Sequence, residues 1–591
     1  MAVSRLSQLS MHLRDANDGS TSRQPPGLVK SMYKVNEQPL GTVRKIRIII
    51  IGAGASGLNV VRTLRNELTN YEYVVYEKNP KVGGTWYENR YPGCKCDIPS
   101  HNYQFSWKPN HEWSSFFSSA EEIEAYLCRL CEDENMQDHL KTEHEVVGAH
   151  WNETSGRWNV TIKDLGTGLM FEDHCDFLLD AGGILKRPLK SHWKWPEIPG
   201  LRDFSGSLIH SANWAEEFNW TGKRVAVIGN GSSGVQIVPA IQKGAKQLVH
   251  FIREPTWIVP PRIQTLSMSK AGDILEEIEF DEEERFTSAQ VERFKTDPKL
   301  YRTFVKAIEE QVNSNFFIVL KDSDGHKTAT EAVTQYMRAA LGYDETLIKA
   351  LIPSFPLSCR RLTPGIGYLE SLSQSNVRVV ADSIAHITSS GLVTKSGEII
   401  EVDAIICATG FDVSFCPRFP IIGRSGNLQD IWTKALPRSY MSCAVPSLPN
   451  YFMFLGPNAP IGHGSVFTIA ELLAKYIVNI IRKCQTECIK AIVPSQAAVD
   501  ELYEHTQAFM PRTAWAGSCT SWFKNGRETG PVTALHPGSR IHFFHMLERF
   551  RGEDWEYVHY TRHNRFSYLG NGLSTKELDK SDSTWYLDGP G

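Results

Sequence analysis

Residues 45–77 leave this chain little choice of local fold. Lys45-Ile46-Arg47-Ile48-Ile49-Ile50-Ile51 is a basic-then-aliphatic run of the kind buried on both faces of a parallel sheet. Gly52-Ala53-Gly54-Ala55-Ser56-Gly57 follows at once. Leu58, Val61, Leu64 and Leu68 then share one face of a helix, and a second strand, Tyr73–Tyr76, ends in Glu77, twenty residues after Gly57. Each position has a physical task. Gly52 permits the tight turn, Gly54 lets the backbone approach a pyrophosphate, and Gly57 allows the helix to pack closely on the sheet. The helix N-terminus, including Ala55 and Ser56, faces the phosphates, and Glu77 can accept hydrogen bonds from a ribose diol. A lone glycine triplet is weak evidence, but strand, helix, second strand and acid together predict a dinucleotide site.

The same grammar recurs. After the strand Arg224–Ile228 comes Gly229-Asn230-Gly231-Ser232-Ser233-Gly234, then a helix over 235–242 and a strand over 247–252. Here the strand ends in Arg253, nineteen residues after Gly234. An arginine at this point can receive a 2′-phosphate where a carboxylate would select the free hydroxyl, so NADPH is expected over NADH. The adjacent Glu254 opposes that preference if its side chain turns inward.

Between and beyond these signatures lie segments that identify the first nucleotide. Lys81-Val82-Gly83-Gly84-Thr85-Trp86 follows Glu77, and the buried run Ile405-Ile406-Cys407 ends in Ala408-Thr409-Gly410. Together they resemble the FAD-binding domain of two-dinucleotide flavoproteins, in which a late Ala-Thr-Gly segment returns to the flavin. Upstream of the second glycine loop, Phe204, Gly206, His210 and Trp214 fit FxGxxxHxxxW. This resembles the fingerprint of the flavin-dependent type I Baeyer–Villiger monooxygenases, class B flavoprotein monooxygenases, and the chain is identified as a suspected member of their fungal-like branch. Ala215 stands where such chains commonly have Pro or Asp, and Leu362 where they have Pro.

The resemblance runs from about Arg44 to about Phe550. It implies that Gly84, Thr85, Trp86, Asp97 and Tyr103 line the flavin, with Ala408, Thr409 and Gly410. It implies that Arg361, six residues before Gly367, is the catalytic arginine, oriented by Asp97, with Arg360 among the cofactor-binding residues and Trp522 near the nicotinamide and substrate. NADPH would reduce FAD and dioxygen would form a flavin peroxide. Arg361, protonated at any working pH, would stabilise that anion and then the tetrahedral adduct of a ketone. The product would be an ester or lactone. Phe204, Gly206, His210 and Trp214 would couple and close the domains. His463, within the turn-rich Pro457–Gly464, is a weaker candidate proton donor.

These readings give an α/β fold class: two Rossmann-like dinucleotide-binding domains, for FAD and NADPH, with a helical insertion. The expected layout is an N-terminal arm over 1–43, the FAD domain over 44–190 and 398–555, the NADPH domain over 191–265 and 353–397, the insertion over 266–352, and a tail over 556–591. The chain's 591 residues, at roughly 150 per domain, allow about four such units. A net charge of −4 argues against nucleic acid as a partner. No apolar stretch reaches the roughly 20 residues that span a bilayer, and the polar start is unlike a secretory signal. The expectation is a cytoplasmic protein, monomeric, acting on a small ketone and dioxygen, without metal. Cys128, Cys359, Cys407 and Cys484 read as reduced thiols, and Cys128-Arg-Leu-Cys131 falls on a helix without the strand a redox motif needs. The acidic run Glu276–Glu284 reads as a solvated helical face. Two other activities stay open: oxidation of nitrogen or sulfur centres, which would not need Arg361, and nucleotide sensing without catalysis.

Overall fold

The computed structural model describes residues 33–185, 195–260, 271–280, 284–562, 564–579 and 581–588. Two compact units are present, one of residues 43–558 and one formed by the two ends of the chain.

In the larger unit, β1 (Ile46–Ile51) leads through Gly52–Gly54 into α1 (Ala55–Glu67) and β2 (Tyr71–Tyr76). The β-branched run of β1 suits a strand covered on both faces, and only Arg47 within it escapes full burial. β1 pairs in parallel with β2 and with β7 (Phe177–Asp180), and β7 pairs with a strand far along the chain, Tyr451–Met453. A two-residue strand, β3 (Leu140–Lys141), completes this first sheet beside β2. Between them β4 (His144–Asn152), β5 (Arg157–Asp164) and β6 (Met170–Cys175) form an antiparallel meander. The Cys128–Cys131 pair rides on α2 (Ala120–Asp133), and both thiols are free there.

The second sheet repeats the first. β9 (Arg224–Ile228) feeds α3 (Ser232–Gln242) and β10 (Gln247–Phe251), and β10 pairs with Val377–Val380. On its other side β9 pairs with Ala404–Cys407, which pairs in turn with β8 (Ser207–His210), all in parallel. The strand before Ala408-Thr409-Gly410 therefore belongs to the second sheet. This corrects the expected resumption of the first domain at 398: the chain leaves the second sheet only after Cys407.

Among the described residues of 266–352 there are five α-helices: Gly272–Glu277, Ser288–Thr296, Pro298–Ser314, Asp324–Ala340 and Glu345–Leu351. The reading of 276–284 as one helical face does not hold. Its helix stops at Glu277, Glu279 and Glu284 have left-handed backbone (φ 56° and 58°), and 281–283 lie outside the described residues. Three like charges in one turn of helix repel one another, which favours stopping.

The N-terminal arm and the C-terminal tail, read as separate polar extensions, pair with each other. The Leu40 N–H donates to Leu573 O (2.8 Å) and the Thr575 N–H donates to Leu40 O (2.9 Å).

Candidate active site

One cavity of about 710 Å³ collects the two glycine loops. Gly52, Gly54, Ala55 and Ser56 line it from the first, Gly231, Ser232 and Ser233 from the second. Glu77, Gly84, Thr85, Trp86, Asp97, Tyr103, Ala408, Thr409, Gly410, Arg361 and Trp522 also reach its wall. Gly57, Gly229, Gly234, Arg253 and Arg360 do not line it.

Gly57 and Gly234 act through packing. An added Cβ would lie 2.0 Å from Gly52 O in the first case and 2.0 Å from Gly229 O in the second, a separation no side chain tolerates. The turn glycines Gly52 (φ +93°) and Gly229 (φ +103°) occupy backbone conformations closed to most residues. Gly54 meets Gly84 across the cavity edge, and a Cβ on it would stand 3.5 Å from Gly84 Cα. Only backbone therefore borders the cavity at that point, as close approach to a phosphate requires.

Glu77, 4% exposed, accepts hydrogen bonds from the backbone N–H of Ala53 (2.7 Å) and of Asn79 (2.8 Å). Burial pushes its pKa up, and the two backbone donors pull the other way. Trp86 and Tyr103 meet edge to face, ring centroids 5.5 Å apart, and Tyr103 packs in turn on Phe467.

Arg361 and Asp97 form a two-pronged pair at the cavity wall. Nε donates to Oδ2 (2.9 Å), Nη2 to Oδ1 (2.7 Å), and Nη1 to the carbonyl of Ile461 (3.2 Å). The Asp97 carboxylate holds the Arg361 pKa above its ordinary value, against the pull of burial. Such a fork fixes the guanidinium plane as a single hydrogen bond cannot.

Arg360 has partners distinct from those of Arg361. It pairs with Glu254 and donates to Pro255 O (3.2 Å), its cation over the Phe355 ring. Glu254, its side chain 37% exposed, is engaged by an arginine. Burial, then the neighbouring charge of Arg253, lowers the Arg360 pKa. Arg253 itself is exposed just past the end of β10.

The linker residues sit in the second domain, off the cavity wall. Phe204 is buried in that domain's core, and a Cβ on Gly206 would lie 2.5 Å from Asp403 O. His210 is 1% exposed at the end of β8. Its Nδ1 accepts from the Ala212 N–H (3.1 Å) and its Nε2 faces the Thr409 hydroxyl (3.4 Å). The histidine of the linker thus touches the Ala-Thr-Gly turn on the cavity. Trp214 packs edge to face with Phe218 and Trp220. His463 is not on the wall, although Gly464 is.

Two features escaped the sequence. Asp180-Ala181-Gly182-Gly183 lines the cavity beside the first glycine loop. Ala181 stands to Gly57 as Ala408 stands to Gly234, with Cβ separations of 3.7 and 3.6 Å for the added atom. The signal was there: Phe177-Leu178-Leu179 before Asp-Ala-Gly-Gly is another buried strand ending in a glycine turn. The second is covalent. Cys359, read as a reduced thiol, is disulfide-bonded to Cys519. Their separation of 160 residues hides such a pairing from any local reading.

Among the described residues, no helix is long and apolar enough to cross a membrane. Residues 50–120 match the model of a family described as an NAD(P)-binding Rossmann-like domain. The FAD-binding monooxygenase tazF of Aspergillus terreus is 38% identical, over 95% of this chain and 98% of its own length. A Baeyer-Villiger monooxygenase of Streptomyces coelicolor is 31% identical, over 84% of this chain and 90% of its own. Among solved structures, a closed crystal structure of cyclohexanone monooxygenase matches with TM-score 0.72 at 25% identity, covering 88% of this chain and 100% of the other.

Proposed function

The chain belongs to the FAD-binding monooxygenases of Baeyer–Villiger type, and on that premise we propose that it inserts one oxygen atom of dioxygen beside a ketone carbonyl. NADPH supplies the two electrons. Ketone, dioxygen, NADPH and a proton give an ester or lactone, NADP⁺ and water.

The residues present fit both nucleotides. The side-chain-free contact of Gly54 with Gly84 leaves room for a pyrophosphate at the start of α1, and Glu77 keeps lone pairs for ribose hydroxyls. Ser232 and Ser233 open the second helix onto the same cavity. When bound, FAD supplies the activation of dioxygen that no side chain can provide.

The observation that carries the proposal is the Asp97–Arg361 fork at the cavity wall. A ketone attacked by an oxygen nucleophile gathers negative charge on its former carbonyl oxygen. A guanidinium held in one plane stabilises that charge without reorganising. Asp97 contributes by orientation, keeping Arg361 placed and protonated. Arg253 supplies a cation for a 2′-phosphate, and Arg360 neutralises the Glu254 carboxylate that would oppose one. His210, on the strand paired with Ala404–Cys407, supports the Thr409 turn at the cavity wall from within the second sheet.

Incubation with NADPH, dioxygen and a panel of ketones, followed by mass analysis, tests the proposal. One added oxygen as ester or lactone is expected. Sulfoxides or N-oxides from matching nucleophiles, with no ester from any ketone, would overturn it in favour of oxygenation at sulfur or nitrogen. Arg361→Ala should lower ester formation by about 10²–10³-fold or more while NADPH still reduces the flavin.

A further inference from the structure

The segment carrying Arg361 is covalently tied to the loop carrying Trp522. Cys359 immediately precedes Arg360-Arg361, and its partner Cys519 lies three residues before Trp522. Trp522, Asn525 and Gly526 of that loop line the cavity. The other ten cysteines are free thiols, so the single bond is not part of a stabilising framework of the kind small secreted domains use.

The bond closes a ring of interactions around the end of β10. The Thr520 hydroxyl donates to Glu254 Oε1 (3.1 Å), the other oxygen of Glu254 takes Arg360, and Arg360 adjoins Cys359. One covalent link, one hydrogen bond and one ion pair thus join the second nucleotide domain, the arginine segment and the cavity loop. A buried cation stands beside the sulfurs. Lys524, 1% exposed, places Nζ 3.9 Å from Cys359 Sγ and 3.8 Å from Cys519 Sγ, and donates to Gly517 O. Both cysteines are buried, Cys519 (4% exposed) less completely than Cys359 (0%), so a reductant reaches Cys519 first, and an ammonium so placed stabilises the departing Cys359 thiolate.

We propose that the Cys359–Cys519 disulfide is a reducible positioning crosslink for the nicotinamide nucleotide: closed, it holds the Trp522 loop and the Arg360–Glu254 pair in one frame, and opened by a dithiol it loosens NADPH binding without releasing FAD. This rests on the reading of the second glycine loop as the NADPH site. In the reductive step a thiolate of the dithiol attacks one sulfur. The S–S bond breaks, and the other cysteine departs as a thiolate beside Lys524 and takes up a proton. The second thiol of the reductant then displaces the first cysteine as a thiol. The dithiol ends as its own cyclic disulfide, so two electrons and two protons pass to the protein.

The test uses the FAD-loaded enzyme and dithiothreitol. Alkylation of free thiols followed by peptide mapping without reductant should recover the 359–519 link in the native protein. Anaerobic flavin reduction is then followed against NADPH concentration for wild type, dithiothreitol-treated wild type with thiols blocked, and Cys359→Ser/Cys519→Ser. The half-saturating NADPH concentration should rise about tenfold in the last two, with the maximal rate within about twofold and FAD content unchanged. Free thiols at both positions in native protein, superimposable saturation curves, or a change confined to FAD content would each overturn the proposal. If the double variant does not fold, the reduced wild type carries the comparison alone. Failure of NADPH to reduce wild-type flavin at any concentration would instead strike the reading of the second glycine loop, and leaves the mapped link as a separate result.

Discussion

At Gly57 and at Gly234 an added Cβ would lie at the same 2.0 Å from the carbonyl oxygen of the turn glycine five residues earlier, and Ala181 and Ala408 back the two helices at nearly equal distances. Up to that point the two glycine loops are copies. They part at the middle glycine and at the end of the second strand. In the first, Glu77 is buried and already held by two backbone donors, and Gly54 is closed over by Gly84. In the second, Arg253 stands in solvent, Glu254 is drawn off to Arg360, and a Cβ on Gly231 would meet nothing within 4 Å. The first site is finished before any nucleotide arrives. The second is left open, which suits the proposed role of its nucleotide in binding, delivering a hydride and shifting. Burial and satisfied hydrogen bonds make the difference between them, rather than the glycine spacing.

The largest effect should come from attacking the shared geometry on each side in turn. Gly57→Ala should yield protein without FAD, or none that folds, whereas Gly234→Ala should keep its yellow flavin and lose reduction by NADPH; absorbance and stopped-flow traces separate the two. Equal loss of FAD in both variants would erase the distinction.

Next comes Glu77→Gln. The amide must turn its NH₂ toward one of the two buried backbone donors, at a cost of about 1–3 kcal/mol, so FAD affinity should fall roughly 10- to 100-fold. Equilibrium dialysis checks it. Burial raises the Glu77 pKa, so in wild type the carboxylate takes up its proton somewhat above the usual range. FAD retention should weaken as pH falls through that window, and the variant should lack this dependence.

Arg253→Ala tests the open site. The preference for NADPH over NADH should fall about tenfold with little effect on FAD, as expected for one exposed, charge-assisted contact. Gly231→Ala should weaken NADPH binding by a similar factor and leave FAD in place, because the added methyl enters the cavity the nucleotide would fill.

The smallest effect concerns Lys524. Burial, and then Arg360, lower its pKa to about 8, against the 10.5 it has when free. Between those values the folded protein has released a proton that the unfolded chain still holds, so stability should rise with pH across about 8 to 10.5. Thermal melts of wild type should show that rise and Lys524→Met should not.

The sequence made both glycine loops legible because their determinants are local: each strand, turn and helix is contiguous, and spacing alone fixes the backbone. The Asp97–Arg361 pair was legible only through resemblance, since 264 residues separate partners that spacing cannot bring together. The sheet that owns Ala404–Cys407 could not be read from the motif. A buried aliphatic strand ending in Ala-Thr-Gly satisfies either sheet, and only its register with β9 decides. The disulfide escaped because 160 residues separate Cys359 from Cys519, and both are buried, as free thiols commonly are. The acidic run misled because charge composition carries no record of where a helix stops.

The pairing of β7 with Tyr451–Met453 has a consequence for synthesis. The first sheet receives that last parallel strand roughly 270 residues after Asp180 has been made. At about 5–20 residues per second this leaves β7 with a bare edge for roughly 15–55 s, while the entire second domain emerges. An unpaired apolar edge is an invitation to aggregate. The nascent chain is therefore most vulnerable between the synthesis of Asp180 and that of Tyr451, and the first sheet is complete only once Met453 has been made.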